Sequence, residues 1–156
     1  MILYLDTSAL VKRYVAEQGT AEVMAAMAAA AVIGTSVISR AEMAAALAKA
    51  VRMDTLGPDA AGATLQAFRH EWVSLVRVQA TEGLLARADT LAWELGLRGY
   101  DTVHLASALL WQDGMGEAVT LATFDRRLWA AAAQRGLPVF PADLPTLVAL
   151  WQSEQM

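Results

Sequence analysis

A three-layer α/β/α architecture around a central parallel sheet is the fold class this sequence predicts. Three observations predict it. Short apolar runs alternate with longer segments of helical period, glycine, proline or a capping residue punctuates most junctions, and acids follow closely on the apolar runs. In an open parallel sheet the strand carboxyl ends and helix amino ends meet at one edge, which is where such acids would gather.

Taken in order, Ile2 to Leu5 read as a short buried strand, with Ser8 expected to cap a helix through Ala9, Leu10, Val11 and Tyr14. A second helix is expected after Gly19-Thr20, then a strand at Val32 to Thr35 and a helix from about Val37 to Met53. Gly57-Pro58 opens another helix carrying Leu65, Phe68, Trp72 and Val73, with the proline in its first turn. Leu75 to Val78 alternate as a short strand would, or form a connection. From Thr81 a helix runs to Leu95 and stops at Gly96. The next begins at Asp101, whose carboxylate can cap it, presents Val103, Leu105, Ala106, Leu109 and Leu110, and ends at Gly114 and Gly116. Ala118 to Ala122 form a strongly apolar strand, Asp125 to Arg135 a helix closed by Gly136, and Val139-Phe140 a last edge strand before a short C-terminal helix. Right-handed crossovers join such units into one parallel sheet. With no internal repeat or linker, residues 1–156 are expected to form a single domain.

Composition narrows the function classes. Hydrophobic residues make up 56% of the chain, yet the longest apolar run, Val23 to Gly34, is largely alanine. It falls well short of the roughly 20 residues of a membrane span. The N-terminal apolar segment lacks a basic lead and is interrupted by Asp6, unlike a signal peptide, so a cytoplasmic protein is expected. The absence of cysteine excludes disulfides and thiolate metal sites, leaving oxygen or histidine to hold any metal. A net charge of −4 does not mark the whole molecule as a nucleic-acid binder. Locally, however, Arg40, Arg98, Arg126 and Arg127 each lie within three residues of a key acid. That mixture suits an anionic substrate meeting a cation site.

Four acids fall where chemistry is expected. Asp6 follows the first strand, Asp125 follows the strand Ala118 to Ala122, Asp101 opens a helix, and Glu42 lies about one and a half turns into the helix after strand two. Carboxylates brought together repel one another, and a hard divalent cation such as Mg²⁺ or Mn²⁺ relieves that repulsion. Such an ion, with its waters and a substrate phosphate, serves phosphodiester chemistry. Singly, each acid has a plainer reading. Asp101 can be a helix cap, Glu42 a solvated helix residue and Asp125 a complement to a helix dipole. Asp6 is the hardest to explain that way, because an unneutralised charge behind a buried strand is costly.

The segments YLDTSALVKRY, SRAEMAAAL, YDTVHLASAL and LATFDRRL, in this order over nearly the full chain, resemble the PIN-domain ribonucleases, most closely the VapC-type toxins of bacterial toxin–antitoxin pairs. The resemblance implies a PIN-like fold and an acidic quartet of Asp6, Glu42, Asp101 and Asp125 that binds Mg²⁺ or Mn²⁺, with Asp6 and Asp101 as direct ligands. It implies metal-dependent endonucleolytic cleavage of RNA, inhibition by a cognate VapB-like antitoxin, and a homodimer. Thr7, Ser8 and Thr123 would support the carboxylates or the metal waters, although hydroxyls in such places also serve as caps and turn formers. Lys12, Arg13, Arg40, Arg126 and Arg127 are candidates for phosphate contacts. His104, one turn after Asp101, is read as a hydrogen-bonded core residue outside the catalytic set. The Ala/Met-rich helices offer surfaces for a second chain. The rival readings are a phosphatase or DNA nuclease on the same acids, and a non-catalytic module with a structural cation.

Overall fold

The computed structural model describes residues 1–156. Five parallel strands, β1 (Ile2–Leu5), β2 (Val32–Ser36), β3 (Val76–Val78), β4 (Val119–Ala122) and β5 (Val139–Phe140), stand in the order β3-β2-β1-β4-β5. β1 is central and pairs with β2 from Ile2 opposite Val32, and with β4 from Ile2 opposite Val119. The sheet therefore reverses its direction of growth between β1 and β4, and the strand carboxyl ends at such a switch point are where open α/β sheets bind ligands.

Side-chain alternation divides the core. Ile2, Tyr4, Val119 and Leu121 point to one face, where they pack with Leu84, Leu91, Leu105 and Leu128; Leu3, Leu5 and Ala122 point to the other, with Leu10, Val23, Met43 and Phe68. Both faces of β1 are covered, which explains its unbroken apolar sequence. The first face is roofed by α5 (Glu82–Leu95), α6 (Gly99–Met115) and α7 (Arg126–Gln134). The second is roofed by α1 (Thr7–Tyr14), α2 (Thr20–Ala29), α3 (Ser39–Arg52) and α4 (Pro58–Glu71). A last helix, α8 (Leu144–Glu154), follows β5. The predicted α/β/α layering is present, no helix is long and apolar enough to cross a membrane, and the segment at Leu75 to Val78 resolves into the edge strand β3.

The local differences concern helix starts. Asp6, not Ser8, caps α1: it leaves β1 extended and its carboxylate accepts from the Ala9 N–H at 2.9 Å. Ser8 is already inside the helix. Asp101 does not cap α6, because the helix begins two residues earlier, at Gly99, and Asp101 sits in its first turn. Likewise α3 begins at Ser39, so Glu42 lies in the first turn rather than a turn and a half inside. In both cases the negative charge faces the positive end of a helix.

Gly34 shows how closely α6 approaches the sheet. A Cβ there would lie 2.7 Å from ring carbons of Trp111 and 3.0 Å from the Val76 carbonyl oxygen. Gly34→Val is expected to force Trp111 outward and destabilise the fold by about 1–3 kcal/mol, the range for overpacking. Urea unfolding should show a lower midpoint with an unchanged slope; an unchanged midpoint would contradict this tight approach.

Candidate metal centre

Asp6 stands at the carboxyl end of β1, beside β4 at the switch point, and is 4% exposed. Its Oδ1 accepts from the Ser8 hydroxyl at 2.7 Å as well as from Ala9, and its Oδ2 accepts from the Thr123 hydroxyl at 2.6 Å. Thr123 in turn accepts from the Asp125 N–H at 3.1 Å, and Ser8 from the Phe124 N–H at 3.0 Å. These hydroxyls thus lock the first acid to the loop carrying the fourth. Asp125 caps α7 through Oδ1, which accepts from Leu128, leaving Oδ2 directed elsewhere.

That second oxygen meets Arg98. Arg98 Nε donates to Asp101 Oδ2 at 2.9 Å and its Nη2 donates to Asp125 Oδ2 at 3.0 Å, so one guanidinium bridges two acids from α6 and α7. Its side chain is 75% exposed, which makes the bridge exchangeable with other cations rather than a buried strut. Arg98 was not among the residues predicted for the site; its signal was the three-residue spacing to Asp101. Glu42 Oε1 accepts from the Thr7 hydroxyl and from His104 Nε2, both at 2.7 Å. Because an ionised carboxylate only accepts, the His104 proton belongs on Nε2, and Nδ1 accepts from the Tyr4 hydroxyl at 2.7 Å. His104 is a buried, hydrogen-bonded core residue, and it also orients Glu42.

The surroundings separate the two acids electrostatically. Burial pushes the Asp6 carboxyl above its ordinary range, only partly opposed by the His104 imidazole and by hydrogen bonds from Thr123, Ser8 and Ala9. Burial also acts to raise Glu42, but the His104 hydrogen bond, with the Thr7 hydroxyl and the Arg98 charge, together hold it below its ordinary range. Asp6 is therefore the acid whose charge most needs a cation.

The predicted basic contacts divide. Lys12 is buried and committed: its Nζ donates to Glu17 at 3.1 Å and to the Gln18 carbonyl at 2.7 Å, and lies over the Phe124 ring. It holds the α1–α2 turn, so a phosphate would have to compete with Glu17 and the Gln18 carbonyl for it. Arg13 is tied to Glu71 of α4 at 3.3 Å by two nitrogens, again a structural pair. Arg127 donates to the Gly96 carbonyl at 2.6 Å, stitching α7 to the end of α5. Arg40 and Arg126 are exposed; Arg40 lies 6.0 Å from the Trp72 ring centroid.

No three of the acids and histidine close into a ready-made metal cage. A hard divalent ion does not require one, since it retains waters and is held by one or two carboxylates with substrate oxygens. The donor set here is all oxygen, carries several negative charges at one sheet edge, and already attracts a guanidinium between two of its members. These residues fit such an ion.

Comparison with known proteins gives the class. Residues 3–135 match the PIN domain, and this chain belongs to that family. It is 33% identical over 143 residues to Ribonuclease VapC45 and, equally, to Ribonuclease VapC49, both of Mycobacterium tuberculosis, spanning 92% of this chain and 97% of each relative. Among solved structures it is similar to a toxin–antitoxin complex from Klebsiella pneumoniae, with a TM-score of 0.62 and 19% identity over 92% of this chain and 98% of that one.

Proposed function

We propose that residues 1–156 form a single PIN-like domain acting as a Mg²⁺- or Mn²⁺-dependent endoribonuclease, the toxin of a toxin–antitoxin pair. The observation that carries this is the convergence at the β1/β4 switch point: Asp6 locked by Ser8 and Thr123 to the Asp125 loop, and Asp125 joined to Asp101 by a shared cation. The two named ribonucleases, similar along nearly the whole chain, support RNA as substrate.

Asp6 and Asp101 would hold the ion directly, with Glu42 and Asp125 completing its water shell. Such an ion supplies a water nucleophile at neutral pH and offsets charge on the scissile phosphate. Thr7 and His104 keep Glu42 ionised and aimed, Thr123 and Ser8 fix Asp6, the exposed Arg40 and Arg126 are free to approach phosphates, and Arg98 would do so by exchanging its two carboxylates for one. A cognate antitoxin can exploit the same charge, since a guanidinium already fits between Asp101 and Asp125. Exposed apolar residues such as Met24 and Trp93 are consistent with a second copy or an antitoxin segment covering part of the surface in a cytoplasmic homodimer.

The test is cleavage of single-stranded and structured RNA by purified, antitoxin-free chain in Mn²⁺. EDTA is expected to stop cleavage, and Asp101→Asn to slow it roughly 10²–10³-fold, as for removal of an electrostatic catalytic group. Cleavage that survives both treatments would exclude the acidic metal centre; hydrolysis of small phosphate esters without any RNA cleavage would favour a phosphatase.

A further inference from the structure

Two of the carboxylates, Glu42 and Asp101, border a groove of about 640 Å³ that extends away from them toward α5. Leu85, Ala88 and Ala92, spaced three and four residues apart on α5, form its apolar wall, and Asp89 lies beside them. Tyr100, 68% exposed, lines it from the start of α6, immediately before Asp101, as does the exposed Arg98. We infer that this groove is a nucleobase subsite, which takes the unpaired base beside the scissile phosphate and stacks it on Tyr100, with an exocyclic amino group donating to Asp89.

The inference rests on the ribonuclease reading and extends it to what the site selects. An RNA whose phosphate lies at Asp101 is a continuous chain, so its neighbouring nucleotide must enter the space adjoining that residue. Tyr100 is covalently next to Asp101, and the groove runs from there along α5. The small side chains of Ala88 and Ala92 leave depth for a flat ring, while Leu85 and Tyr100 supply the faces against which it packs. Asp89 repels phosphate, so the backbone stays at Arg98 and the base turns inward. A carboxylate accepts from amino-bearing bases, which favours cytosine, adenine or guanine over uracil.

The test uses a short single-stranded RNA carrying 2-aminopurine, read by fluorescence in EDTA so that no cleavage intervenes, beside KM and kcat in Mn²⁺. Tyr100→Ala is expected to weaken RNA binding and raise KM about tenfold, within the range for loss of one base–aromatic stack. Tyr100→Phe should restore both, and Mn²⁺ affinity by electron paramagnetic resonance should be the same in all three proteins. Tyr100→Ala binding RNA as tightly as wild type overturns the subsite. So does RNA affinity that is unchanged while sedimentation shows a dimer falling apart, which would make the groove an interface between copies. Wild-type protein that quenches 2-aminopurine through Tyr100 yet cleaves no RNA supports the base subsite and sinks the ribonuclease reading alone.

Discussion

Asp6→Asn is expected to lose RNA cleavage by roughly 10²-fold or more, while melting at the same temperature as the parent protein or higher. The asparagine side chain has the same shape, and its oxygen can still accept from Ala9 and Ser8. What disappears is a buried negative charge. Because the folded carboxyl titrates above the ordinary value of 3.8, the native state holds its proton more tightly than the unfolded chain does. The charge-burial penalty is fully present above the folded pKa and is relieved as pH falls through it toward 3.8. Glu42 runs the other way, its contribution being lost as pH falls from 4.5 through its lowered folded value. At neutral pH, removing the Asp6 charge therefore relieves strain that only a cation otherwise relieves.

Divalent ion separates this account from a purely structural role for Asp6. Wild-type protein should be stabilised by Mg²⁺, by about 2.7 kcal/mol at a hundredfold excess over the dissociation constant. For a domain of this size that is a rise of roughly 5–10 °C. Asp6→Asn should show little such rise. Thermal melts with Mg²⁺ and with EDTA, alongside cleavage assays, check both halves. A variant that melts lower than wild type in EDTA, or still responds fully to Mg²⁺, would mean that Asp6 serves mainly as the cap of α1.

Phe68→Ala carries the largest expected loss of stability, about 3–5 kcal/mol. Phe68 is fully buried, and its ring meets Tyr14 of α1 edge-on at 5.5 Å and Trp72 at 5.4 Å between centroids. The polar rim above it depends on that packing, since the Tyr14 hydroxyl donates to Glu71 at 2.9 Å and Glu71 also holds Arg13. Truncation leaves a cavity under α1 and α4 and frees both aromatic neighbours. Set against about 5–15 kcal/mol for a whole domain, the loss brings the fold near its limit. Urea unfolding should show a much lower midpoint. Below the melting temperature, cleavage should be nearly unchanged, because the side chains that hold the acids in place, Thr7, Ser8, Thr123, His104 and Arg98, all lie outside α4. A small shift in midpoint would mean that the α1–α4 layer is looser than its packing indicates.

Much of this was readable in the chain. The apolar run Ile2 to Leu5, the stop at Gly96 and the proline at the start of α4 report local physics: burial on both faces, a left-handed residue after a helix, a fixed φ at the first turn. The four acids were visible for a related reason, since each closely follows a strand or opens a helix. The basic contacts were not. Lys12 and Arg13 look like phosphate binders beside Asp6, yet they are engaged by Glu17, the Gln18 carbonyl and Glu71, the last of these far along the chain. Conversely, the spacing of Arg98 to Asp101 was legible, but its second partner, Asp125, was not, because only α7 brings that carboxylate to its second nitrogen.

Sequence alone thus determined the layer architecture, the order of its elements and which acids lie at helix and strand ends, because periodicity and capping act over a few residues. Only the tertiary structure decided how those acids are wired. Asp6 is fastened to Thr123, Glu42 to His104 and through it to Tyr4, and Asp101 to Asp125 through Arg98. Hydrogen bonds and ion pairs act at about 3 Å, a range that depends on strand order and helix placement and leaves no periodic trace in the chain.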